Sequence, residues 1–217
     1  MKAFIFDLDG VITDSAEYHY LAWKALGEDL GISLDREFNE TLKGVSRTES
    51  LERILRLGHH ENDFSPEEKE QLATKKNTHY VSLISKITSA DILPGIETFL
   101  SELREAGYKI GMASASKNAQ MVTRQLGLLH AFDHIVDAAT VVNSKPHPEV
   151  FLRAAKALAV EPKDCVGVED AVAGIEAIRA AGMFAVGIGD RNVLTEADLV
   201  FTDTRDLTLE NVLTRIQ

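Results

Sequence analysis

Two carboxylates stand two residues apart in Asp7-Leu8-Asp9-Gly10, directly after the apolar run Phe4-Ile5-Phe6, and the glycine lets the chain turn away sharply. Side chains two apart at the end of an extended segment face one crevice. Carboxylates so placed can serve as a nucleophile, as a general acid or base, and as oxygen ligands for a hard cation. Taken alone, the four residues also fit a capped turn with solvent-facing acids, the lesser of the two readings. Further along, Glu169-Asp170 sets two more acids behind an apolar run, Ser114 ends another, and Lys145-Pro146 holds a cation in a constrained turn.

The elements that must carry these groups share one grammar. Residues 110–113 end in Ser114, 165–168 in Glu169 and Asp170, and 184–188 in Gly189 and Asp190, each a short continuous apolar run of the kind buried in a parallel sheet. Helical periodicity lies between them: Ile96, Phe99, Leu100 and Leu103 before Gly107; Met121, Val122 and Leu126 before Gly127; Val172, Ile175 and Ile178 before Gly182. Each glycine stands where a helix is capped at its C-terminus. The alternation predicts an α/β fold with a doubly wound parallel sheet, in which ligands bind beyond the carboxyl ends of the strands.

Residues 15–90 break the alternation, with helical periodicity and no convincing strand. They form an expected four-helix cap, inserted into a core of residues 1–14 and 91–217 and hinged near residues 13–16 and 87–93. Its best-marked helix starts at Ser65-Pro66-Glu67-Glu68, a hydroxyl N-cap with proline at N1 and glutamate at N3, and runs to about Ile84. Ser46-Arg47-Thr48-Glu49 is a second capping box, before Leu51, Ile54 and Leu55.

Composition narrows the partners. The chain has 217 residues, 45% hydrophobic and 26% charged, the balance of an ordinary soluble protein and not of a disordered one. Lys plus Arg is 23 against 34 for Asp plus Glu, a formal charge of -11, which opposes long-range attraction to nucleic acid or anionic lipid. A phosphorylated ligand must then be held by a few local cations. No run approaches the ~18 apolar residues of a membrane span, and the chain turns acidic at its seventh residue, so a cytoplasmic protein is expected. Asn39-Glu40-Thr41 is then a chance glycosylation triplet. Cys165 lies in the run Cys165-Val166-Gly167-Val168, a buried strand thiol and not a nucleophile. His59-His60 beside Glu61 and Asp63 is a polar loop, because adjacent histidines point different ways. Gly187-Ile188-Gly189 lacks the third glycine of a dinucleotide fingerprint, and there is no GxxxxGK[ST] phosphate loop.

The longer string Phe6-Asp7-Leu8-Asp9-Gly10-Val11-Ile12-Thr13-Asp14 resembles the signature of the haloacid dehalogenase superfamily of phosphotransferases, whose first aspartate is the nucleophile. Ser114, Lys145-Pro146 and Glu169-Asp170, followed by Ala171 and Gly174, continue the superfamily's pattern in order over essentially the whole chain. Glu17-Tyr18-His19, Trp23-Lys24, Leu42-Lys43-Gly44-Val45-Ser46-Arg47 and Ser114-Ala115-Ser116-Lys117-Asn118 are similar to strings of the β-phosphoglucomutase family within it.

The resemblance implies roles. Asp7 is the nucleophile, ionised at neutral pH with a reference pKa of ~3.9, and Asp9 is the general acid and base. Mg²⁺ would be held by a side-chain oxygen of Asp7, the backbone carbonyl of Asp9 and the carboxylate of Asp170, with Glu169 a direct or water-mediated ligand. Lys145, Ser114 and the amide of Ala115 would receive the transferring phosphoryl group. Arg47, in the string Gly44-Val45-Ser46-Arg47, would grip a distal phosphate with Ser116, Lys117 and Asn118, so that closure seals the sugar between two phosphate sites. His19 and Lys76 would lie near Asp9 in the closed form, while Trp23, Leu42 and Ser50 line the cap side. The role of His147 stays open. The implied reaction isomerises β-glucose 1-phosphate, with β-glucose 1,6-bisphosphate as priming intermediate, in a monomer that binds small sugar phosphates. A sugar-phosphate phosphatase of the same fold is the nearest alternative. A phospho-aspartate receiver domain is more distant, since such domains have no lobe of this size after the first strand.

Overall fold

The computed structural model describes residues 1–216. The chain divides into two compact units, Met1–Asp14 together with the chain from Ile87 onward, and Ser15–Lys86.

The first unit is built on six parallel strands: β1 (Ala3–Phe6), β2 (Lys109–Met112), β3 (His134–Ile135), β4 (Cys165–Glu169), β5 (Phe184–Ile188) and β6 (Leu199–Phe201). Their order across the sheet is β3-β2-β1-β4-β5-β6. β1 therefore lies between β2 and β4, where the winding of the chain reverses, and in open parallel sheets that reversal leaves a crevice at the strands' carboxyl ends. The strongly apolar runs gave four of these strands. β3 and β6 are two and three residues long and carry too little periodicity to be read from sequence.

Alternation along β1 sends its side chains to two cores. Phe4 and Phe6 meet Phe99 edge-on at 5.6 and 5.8 Å, with Tyr108 and Phe132 completing an aromatic layer. Ala3 and Ile5 face the opposite way, into a cluster with Phe151, Ala154, Ile175 and Ile178. Phe99 belongs to helix α5 (Ile96–Glu105), the others to α7 (Glu149–Ala157) and α8 (Val172–Ala180). The short helices α6 (Ala119–Gln125) and α9 (Leu209–Leu213) complete the unit. Gly107, Gly127 and Gly182 follow α5, α6 and α8 with positive φ, as C-terminal caps. Cys165 is buried, and burial pushes its thiol up to about 11.

The second unit holds α1 (Ala16–Asp29), α2 (Arg36–Glu40), α3 (Arg47–Leu57) and α4 (Pro66–Ile84) around Tyr20, Trp23, Leu26, Leu51, Ile54, Leu55 and Ala73. The α4 capping box is complete: Glu68 N–H donates to Ser65 Oγ, and Ser65 N–H donates to Glu68 Oε2. At α3 only half of the expected box forms. Ser46 Oγ accepts from the Glu49 amide, but the Glu49 carboxylate turns to Arg53 at 2.9 Å, one helical turn on. His60 Nδ1 lies 2.7 Å from Asp63 within a surface loop.

The second passage between the units falls at Lys86 and Ile87, earlier than residue 90, because Ile87 is already buried and the 3₁₀ turn Ser89–Asp91 is tied to the first unit. Thr13 Oγ1 donates to the Asp91 carbonyl, Leu93 N–H donates to the Ile12 carbonyl, and Thr13 bridges Ile92 antiparallel. No helix among the described residues is long and apolar enough to cross a membrane.

Candidate active site

β1 and β4 run side by side in parallel and end together, so Asp7, Glu169 and Asp170 arrive at one place. The Asp7 amide donates to the Val168 carbonyl at 2.9 Å, fixing the residue just past the strand. Beyond it, Gly10 at φ 77° reverses the chain, and its amide donates to the Thr13 carbonyl. A side chain at Gly10 would run into the Asp170 carboxylate, so glycine is demanded here twice, by φ and by space. Asp9 sits inside this turn, half-buried and bridged to Thr13.

Lys145 reaches this cluster from the irregular segment before α7, with a cis bond to Pro146. Its Nζ is fully buried, 2.8 Å from Asp7 Oδ1 and 3.3 Å from Glu169 Oε1. Burial works against the ammonium charge. The carboxylates of Asp7 and Glu169 outweigh that penalty and raise the Lys145 pKa, so the cation persists. Burial and the charge of Asp7 hold the Glu169 carboxyl well above the usual range, with Lys145 opposing them.

Oxygens of Asp7, Glu169 and Asp170 lie within 4.8 Å of one another. Glu169 Oε2 is buried with no hydrogen-bond partner among the described residues, a loss on the order of 1–3 kcal/mol for a buried acceptor unless something meets it. Three carboxylates with close oxygens, one of them carrying an orphaned acceptor, suit a divalent cation such as Mg²⁺.

Ser114 follows β2 and is buried; its Oγ accepts from the Ser116 amide at 3.1 Å, and Ser116 Oγ accepts from the Asn118 amide at 3.2 Å. These successive turns carry Ala115 and the exposed Lys117 to the start of α6.

The lobe brings together a second set. Lys76 Nζ, in a residue only 2% exposed, is 2.7 Å from His19 Nδ1, 4.5 Å from the Trp23 ring centroid and 4.9 Å from that of Tyr80. A charged lysine can only donate, so His19 accepts through Nδ1 and carries its proton on Nε2. The residue keeps some surface, but its ring stacks on Tyr80 at 4.0 Å. Burial first, then the charges of Lys76 and Arg47, hold its pKa well below the ordinary histidine value. Arg47, in the first turn of α3, donates to Asn77 Oδ1 at 2.7 Å. Leu42, Val45 and Ser50 are buried in the lobe, Gly44 turns at φ 74°, and Ser46 caps α3.

Tyr80 and Asn77 were not expected from the sequence. The signal was present: Ala73, Lys76, Tyr80 and Ile84 form the buried stripe of α4, and a lysine within such a stripe marks its neighbours for attention. His147, whose role the sequence left open, accepts the Glu149 amide through Nδ1 at the start of α7.

The fold and the strand-end acids define a class. Residues 1–182 match the haloacid dehalogenase-like hydrolase family, and the chain belongs to that family. It is 53% identical to the β-phosphoglucomutase of Bacillus subtilis over 97% of this chain and 93% of that protein. The crystal structure of β-phosphoglucomutase from Clostridium difficile superposes with a TM-score of 0.98 at 53% identity, covering 99% of this chain and 96% of that one. The fructose-1-phosphate phosphatase of Escherichia coli is more distant, 34% identical over 85% of this chain and 94% of its own.

Proposed function

We propose that the protein is a β-phosphoglucomutase, converting β-D-glucose 1-phosphate to D-glucose 6-phosphate through an aspartyl phosphate on Asp7. The observation that carries the chemistry is the buried contact of Lys145 Nζ with Asp7 Oδ1 at 2.8 Å, a fixed cation beside a carboxylate nucleophile. The 53% identity to the B. subtilis mutase over nearly the full chain supports a sugar as acceptor in preference to water.

Phospho-Asp7 passes its phosphoryl group to the C6 hydroxyl, and Asp9 takes the hydroxyl proton. After the β-glucose 1,6-bisphosphate reorients, Asp7 accepts the C1 phosphoryl group and Asp9 returns the proton to the departing C1 oxygen. Lys145, Ser114 and the Ala115 amide stabilise charge on the transferring group. Asp7, Asp170, Glu169 and the Asp9 carbonyl would hold Mg²⁺, which would supply charge neutralisation for the approach of carboxylate to phosphate. Arg47, Ser116, Lys117 and Asn118 hold the second phosphate, and the lobe's His19, Lys76, Trp23, Leu42, Gly44, Val45, Ser46 and Ser50 recognise the sugar. The enzyme acts in the cytoplasm, as a monomer, on small sugar phosphates.

A coupled assay for glucose 6-phosphate, with Mg²⁺ and a trace of bisphosphate, tests this on the β- and α-anomers beside a free-phosphate assay. Fast β-specific turnover with little phosphate release is expected. Stoichiometric phosphate release without isomerisation would replace the mutase with a phosphatase.

A further inference from the structure

Lys145 stands in a stretch without regular structure, and something must hold its backbone while the side chain crosses a buried site. Val142, three residues before it, is 82% exposed, so its side chain anchors nothing. The anchor is a carboxylate from the first turn of α7. Glu149 Oε1 accepts from the Val142 amide at 3.0 Å, and Oε2 accepts from the Asn143 amide and from Asn143 Nδ2, both at 2.9 Å. Arg153, one turn further along α7, steadies this carboxylate at 2.8 Å through Nε and reaches Thr140 Oγ1 at 3.2 Å through a terminal nitrogen. On the other side of Lys145, the His147 amide donates to the Ser144 carbonyl at 3.0 Å, and the His147 ring accepts the Glu149 amide. The same donors, the amides of Val142 and Asn143 ahead of Arg153, pull the Glu149 carboxyl down to about 2.

We propose that Glu149 is a positioning residue, whose clamp on the amides of Val142 and Asn143 delivers Lys145 to Asp7. It touches neither Asp7 nor a reacting atom and acts only through Lys145. The catalytic part of this inference rests on Lys145 serving the phosphoryl transfer proposed above; the positional part does not.

The test pairs a labelling measurement with kinetics. Amine acylation followed by mass spectrometry reads Lys145, fully buried in the wild type, against Lys76, buried in the other unit. In Glu149→Ala, Lys145 is expected to label at least 10-fold faster while Lys76 keeps its protection. Turnover of β-glucose 1-phosphate should fall at least 10-fold in kcat with KM within about 3-fold, and Glu149→Gln, which retains one carbonyl acceptor, should recover part of the loss. In a Lys145→Ala background, Glu149→Ala should cost nothing further, because the interaction it serves is already gone. Wild-type protection of Lys145 in Glu149→Ala, equal loosening of both lysines, or additive kinetic losses would each overturn the proposal. Should the wild type lack mutase turnover, the proposed function fails while the labelling arm still decides whether Glu149 places Lys145.

Discussion

Gly174, in the first turn of α8, lies against the carboxylate of Glu169 so closely that a Cβ at this position would overlap its Oε1. The glycine is the floor on which a buried acid rests. Gly174→Ala should push Glu169 out of line with Asp7 and Asp170 and weaken Mg²⁺ binding by about 10–100-fold, the usual consequence of disturbing a ligand's support. Calorimetric titration with Mg²⁺ reads this directly; unchanged affinity would show that Glu169 takes no part in the metal site.

Lys145 pairs with two buried acids, Asp7 and Glu169, so removing it takes the ammonium away from both. Lys145→Met should lower stability by about 3 kcal/mol in chelator, the scale of breaking a buried ion pair. Mg²⁺ should then raise the melting temperature more in the variant than in the wild type, since a cation at Asp7 and Glu169 replaces the missing ammonium. An equal or smaller Mg²⁺ effect in the variant would mean that the two cations do not share this charge.

His19 is held neutral in the folded lobe, its pKa pushed below the ordinary ~6.5 by burial and by Lys76 and Arg47. As pH falls through 6.5 the unfolded chain takes up a proton that the folded one refuses, so stability declines toward acid and is fully present above that value. Urea midpoints from pH 8 to pH 5 should fall less steeply in His19→Gln than in the wild type. Parallel slopes would assign the acid sensitivity to other groups.

Cys165 is buried and its thiol is raised to about 11, so the thiolate is scarce at neutral pH. Ellman's reagent should find no reactive thiol in the native protein and one per chain in denaturant. Rapid native reaction would mean that β4 opens readily at its beginning.

The sequence made legible those features that repeat or stand in a string. Four apolar runs, each ending in polar residues, placed Asp7, Ser114, Glu169 and Asp170 at strand ends, and the box at Ser65 fixed the start of α4. Contacts made across irregular chain stayed hidden. Nothing in the spacing of Val142, Asn143 and Glu149 says that one carboxylate collects both amides, because that depends on how the loop folds back on α7. Glu49 shows the opposite failure, a residue in the right place for a capping box that a neighbouring arginine claims instead. Asn77 was invisible as the partner of Arg47 because the two lie thirty residues apart and meet only when α3 and α4 pack.

The short antiparallel pairing of Thr13 with Ile92, reinforced by the Thr13 hydroxyl on Asp91 and the Leu93 amide on Ile12, closes the base from which residues 15–86 emerge. Both ends of the insertion are therefore pinned side by side by bonds wholly within the core unit. Loop-closure entropy grows only with the logarithm of length, so the core tolerates long or short inserts at that stem at nearly equal cost. The lobe is in this sense an exchangeable cassette: residues 15–86 can be rewritten while Asp7, Lys145 and the acids beside them keep their places in the core unit.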